Sequence, residues 1–157
     1  MSSTIREPPS TAHEKIRTLH LYWAQAGRRR GALPGRRNID PVDLPRLLPH
    51  LWLMDVVGAP PRFRVRLIGE APRRLGIPAK PGDFLDELPQ RTTEPLEDLA
   101  RVVAARRPSW YRGPASLKHA SEMFELERLF LPLATDGSTV DTILAITVFY
   151  TLQGREI

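Results

Sequence analysis

The stretch LPHLWLMDVVGAPPRFRVRLIGEAPRRLG, from Leu48 to Gly76, holds two runs rich in β-branched and aromatic residues. HLWLMDVV and RFRVRLIG flank GAPP, where Gly58, Pro60 and Pro61 punctuate a short joint. That spacing predicts an antiparallel hairpin. In its second strand, alternation puts Phe63, Val65 and Leu67 on one face and Arg64 and Arg66 on the other. In the first, Asp55 shares parity with Leu51, Leu53 and Val57, so a carboxylate projects from an apolar face. Burying it alone would be costly, which points to an arginine partner: Arg64, Arg66 or Arg128. A pair that holds a polar ligand, and a general base, are the functional alternatives for Asp55.

Downstream of the hairpin, EAPRRLG and GDFLDELP read as short helical turns, and EPLEDLARVVAARR as a longer helix opened by Pro95 with Leu96, Leu99 and Val103 inward. Three further strands follow, at about 109–118, 123–133 and 139–152, the last two joined by the turn signal Asp136–Gly137. The final run, VDTILAITVFYT, is apolar at both parities, as suits a central strand covered on both sides. Upstream, Thr11 and Glu14 are spaced as a capping box and Gly27 suits a helix end, so 11–27 reads as a helix behind a flexible 1–10. Its stripe of Ile16, Leu19, Trp23 and Ala26 can seal a domain or pair with a second copy. Asp40 and Pro41 open another short helix that Pro49 ends.

A chain of 157 residues suffices for one domain with a real core. With no cysteine, disulfides, thiolate metal sites and cysteinyl-adduct photochemistry are excluded. No apolar run is long enough to span a membrane and no secretory leader is evident, so a cytoplasmic protein is expected. The net charge of +5 is carried by arginine, the only lysines being Lys15, Lys80 and Lys118. The densest cluster, Arg28, Arg29, Arg30, Arg36 and Arg37, has no interleaved aromatics and reads as a solvated basic linker rather than a nucleic-acid surface. His13, His20, His50 and His119 lack metal-ligand spacing, so no metal is assigned. Gly69, Gly76 and Gly82 fit no phosphate cradle.

An early hairpin, a run of short helices and a late three-strand unit assemble as an α+β sandwich. This order resembles a PAS domain, and more narrowly a family of small stand-alone bacterial PAS-like proteins. The resemblance runs from Leu21 to Tyr150, through LYWAQAGRRRGALPGRRNIDPVDLPRLLPHLWLMDVV, FRVRLIGEAPRRLG, GDFLDELP and ERLFLPLATDGSTVDTILAITVFY. It implies a five-stranded antiparallel sheet with helices over one face and an additional N-terminal helix, the domain proper occupying 28–157. It further implies a sensory or signalling role without catalysis, a protein partner, and homodimerisation through the helix ahead of the sheet. No cofactor follows from it, since PAS domains hold haem, flavin, small acids or nothing. With the sequence closing on QGREI, output is expected to pass through a partner.

If a small ligand binds, the expected lining is Leu53, Asp55, Val65, Leu67, Phe84, Trp110, Arg128 and Phe130. Two rival readings remain. One is a small hydrolase or isomerase with Asp55 as base beside an arginine anion clamp, which needs Asp55 next to a vacant volume. The other is a nucleic-acid-binding module using the basic connector.

Overall fold

The computed structural model describes residues 5–74, 78–88, 93–114 and 124–157. The hairpin forms as expected, β1 (Leu51–Val57) against β2 (Arg62–Ile68). After β2 come α2 (Glu70–Arg74), a 3-10 turn (Leu85–Glu87) and α3 (Thr93–Ala105), then β3 (Ser109–Pro114), β4 (Phe124–Leu133) and β5 (Thr142–Thr151). The strands make one antiparallel sheet of five in the order β2–β1–β5–β4–β3. The doubly apolar β5 occupies the middle, with Thr142 to Tyr150 all buried. The expected continuation of β3 to Lys118 falls on 115–123, outside the described residues.

Both faces of the sheet are covered. On the outer face α1 (Glu14–Arg30) packs Ile16 and Leu19 against Leu129, Leu131, Leu133, Leu144, Ile146 and Val148. On the inner face α3 packs Leu99 and Val102 against Met54, Phe63, Phe130, Ile143 and Ala145. Val65, Ala79, Leu126 and Phe149 extend this inner core.

Three local readings of the sequence are corrected. Helix α1 starts at Glu14 and runs past Gly27 to Arg30. The ring Nδ1 of His13 accepts from Lys15 N at 3.0 Å and caps the helix in place of Thr11. Gly31, at φ 75°, closes it and donates to Gly27 O at 2.8 Å, because glycine adopts the left-handed cap without strain. Second, within the segment ahead of the helix Arg6 bridges Ser109 and exchanges backbone hydrogen bonds with Pro108 and Trp110, so this part of it pairs beside β3. Third, the register of the hairpin shifts at Leu53/Met54: Leu53 faces Leu67, but Met54 faces Val65. Arg66 is thereby bulged out, and Leu67 lands on the outer face beside Arg64 instead of with Phe63 and Val65. Leu67 is 45% exposed there.

Candidate functional site

The eight residues expected to line one pocket are divided by the sheet. Leu53, Asp55, Leu67 and Trp110 project to the outer face, whereas Val65, Arg128 and Phe130 project to the inner one. Phe84 sits at the β2 edge, bridging Arg64 and lying 4.0 Å under the Arg62 guanidinium. Four of the eight thus share the outer face and three the inner, and of the inner three only Arg128 and Phe130 lie together on β4, with Val65 on the far edge strand β2.

Asp55 does answer to arginine. Its Oδ1 accepts from Arg66 Nε at 3.0 Å, and Arg64 Nη2 lies 3.4 Å from Oδ2. Arg64 stands directly opposite Asp55 and Arg66 two positions further along β2, so both reach this one carboxylate across the hairpin. Both carboxylate oxygens of Asp55 are thereby engaged by arginine.

Arg128 has a different partner. It is 4% exposed, and its Nη2 donates to Asp98 Oδ2 at 2.5 Å, Asp98 being a 1% exposed residue of α3. The guanidinium also lies 4.9 Å from the Tyr111 ring and 4.3 Å from the Phe130 ring. Arg101 Nη1 donates to the other oxygen of Asp98 at 2.8 Å, linking the pair to the surface. Arg128 faces Thr147 on β5 and Tyr111 on β3, so a cation stands on the inner face among aromatic and apolar side chains. The same face carries two buried hydrogen-bonding groups that find no partner among the described residues, Trp52 Nε1 and Ser109 Oγ. Ion-paired arginine plus unmet donors suit a polar ligand better than a purely apolar one.

A second polar centre lies on the outer face, at a residue the sequence reading passed over. Glu127, adjacent to Arg128 and pointing the opposite way, is fully buried. Its carboxylate accepts from His13 N at 3.1 Å, Trp110 Nε1 at 2.8 Å and the Tyr150 hydroxyl at 2.7 Å. Arg112 stands 3.9 Å away with its guanidinium over the Tyr150 ring. Burial, reinforced by the hydrogen bond to Glu127, pushes the Tyr150 phenol well above its ordinary pKa. Trp110 is thus occupied in holding Glu127, and Arg6 stacks over it at 4.7 Å. Nearby, Glu156 accepts from Lys15 and is paired with His13 Nε2, at 2.6 Å and 2.7 Å, tying the C-terminal tail to the start of α1. Burial raises the Glu156 carboxyl, but these two contacts outweigh it and hold the group below its usual range.

The four residues offered for dimerisation are used within the chain. Ile16, Leu19 and Ala26 are buried, and Trp23 Nε1 donates to Pro132 O at 2.9 Å. Of the histidines, His20 pairs with Glu7 at 2.5 Å and His119 lies outside the described residues. Among the described residues no group of three metal-ligating side chains occurs, and no helix is long and apolar enough to cross a membrane.

Comparison with known proteins gives one result. A family model described as a PAS domain matches residues 11–148. No curated protein and no solved structure matches the chain.

Proposed function

This chain belongs to the PAS domain family, and on that premise we propose that it is a sensory module whose input is a small anionic molecule received on the inner face of the sheet. The observation that carries the reading is the Arg128–Asp98 pair. A buried cation is held there by a carboxylate from a neighbouring helix, not by its own strand. A ligand carboxylate or phosphate accepts from a guanidinium as Asp98 Oδ2 does and can take over Arg128, releasing Asp98 and with it the hold on α3. Trp52 Nε1 and Ser109 Oγ supply further donors on that face. Input becomes a change in how α3 seats on the sheet, and a protein partner that reads this change completes the signalling role.

The test is a thermal-shift screen of short mono- and dicarboxylates and phosphate esters against the native chain and Arg128→Met. The reading expects at least one anion to stabilise the native chain and none to stabilise the variant. Equal stabilisation of both, or none of either across the panel, would count against Arg128 as receptor.

Homodimerisation through α1 is proposed only in the form the packing allows. Ile16, Leu19, Trp23 and Ala26 already cover a sheet, so a dimer using them exchanges α1 between two copies.

A further inference from the structure

The arginine-rich connector is not the solvated linker that its composition suggests. Ala134 N donates to Pro34 O at 2.9 Å and Leu33 N to Gly137 O at 3.1 Å, lacing residues 31–35 into the β4–β5 turn. Arg30 adds three bonds, to the carbonyls of Leu33, Ala134 and Thr135 at 2.9, 2.7 and 2.6 Å. Asn38 Oδ1 accepts from Gly35 N at 2.8 Å and fixes the turn that carries Arg36 and Arg37. A polar cleft of about 190 Å³ opens between this turn and the last turns of α1, lined by Ala26, Arg29, Arg30 and Asn38.

On this frame Arg28, Arg29, Arg36 and Arg37 are exposed. The arginines of β2 and α3 are neutralised in place, Arg62 by Asp86 and Glu87, Arg64 and Arg66 by Asp55, Arg101 by Glu97 and Asp98. No carboxylate among the described residues does the same for Arg28, Arg29, Arg36 or Arg37. Four exposed guanidinium groups with unspent charge, one of them (Arg29) lining the polar cleft and the others carried on the last turn of α1 and the adjoining connector turn, are available to receive carboxylates.

We infer that this end of the molecule is a docking surface for an acidic segment of a partner protein. A nucleic acid fits less well. Duplex affinity rises with the number of phosphates neutralised, and four arginines at one end of the molecule neutralise few. No aromatic side chain stands among them to stack bases, and the exposed Asp136 on the adjoining turn would face a long polyanion. A short acidic stretch needs only the cleft and its rim. The inference deepens the signalling role proposed above and rests on it for its purpose, but the surface itself is independent of any ligand on the inner face.

The experiment titrates a fluorescent twelve-residue peptide of alternating Asp and Ser, and separately a 12-base-pair DNA duplex, into three chains. They are the native protein, the quadruple variant Arg28→Gln/Arg29→Gln/Arg36→Gln/Arg37→Gln, and the equal-charge control Arg46→Gln/Arg73→Gln/Arg74→Gln/Arg155→Gln, whose four arginines are also exposed. Circular dichroism confirms that each is folded. The expected result is peptide binding weakened by about tenfold or more in the first variant and nearly unchanged in the control, since local complementarity rather than net charge sets it. Equal weakening in both variants, no peptide binding to the native chain, or DNA binding tighter than peptide would each overturn the inference. Repeating the carboxylate thermal-shift screen on the same variants separates this outcome from the inner-face reading, which predicts no change there.

Discussion

Asp55 and Glu127 pose the same problem to the chain and receive different solutions. Each is an acid at an apolar strand parity, but Asp55 lies near the open edge of the sheet and is neutralised by Arg64 and Arg66, whereas Glu127 lies under α1 and is satisfied chiefly by uncharged donors. A buried carboxylate held this way makes its tyrosine partner hard to ionise. Because the Tyr150 phenol is raised above its unfolded value, folding favours the neutral form. That contribution is fully present below about pH 10 and is lost as pH climbs beyond it. Urea denaturation at about pH 8 and again at about pH 10.5 should show a smaller loss of stability for Tyr150→Phe than for the native chain, although the variant starts lower for want of the hydrogen bond. An alkaline loss of the same size in both would mean that Tyr150 is not held neutral by this site. Asp55 could be found in the sequence because an acid amid LWLM and VV stands out. Glu127 carries the same signal, sharing parity with Leu129, Leu131 and Leu133, but it is masked by the neighbouring charges of FELERLF.

At the scale of elements, what was legible was period and punctuation. The hairpin, the central β5 and helix α3 all follow from alternation, turn residues and an i, i+3, i+7 stripe. What was not legible was anything set by a contact distant in sequence. The bulge at Arg66 depends on pairing with β1, the partner of Arg128 is thirty residues away on α3, and the cap of α1 is a histidine ring, outside the usual capping residues. The split of the eight expected pocket residues follows from that bulge for Leu67, while for Trp110 it follows from its pairing with Leu129. Helix α1 offers a direct check of what its stripe is for. With Leu19 fully buried against the sheet, Leu19→Asp places an unpaired charge in the core and should cost roughly 3–5 kcal/mol, unfolding the domain rather than releasing folded monomers. Circular dichroism with light scattering distinguishes the two. A folded monomer from Leu19→Asp would show that α1 serves association and not the fold.

Across the whole molecule, charge and polarity are partitioned. Among the described residues each of the sheet's two faces holds a buried polar centre, and the two originate from neighbouring residues of one strand, Glu127 reaching α1 and Arg128 reaching α3. Arg28, Arg29, Arg36 and Arg37 lie exposed where α1 passes into the connector that is laced to the β4–β5 turn. The family assignment accounts for the scaffold, and these placements are what this chain adds to it. The central claim is that the inner face receives an anionic molecule at Arg128. Its most direct test is native mass spectrometry of the protein purified from its own host, beside Arg128→Met prepared identically. The account predicts an added small mass on the native chain that is absent from the folded variant. An unmodified mass for the native chain, or the same adduct on both, would contradict it.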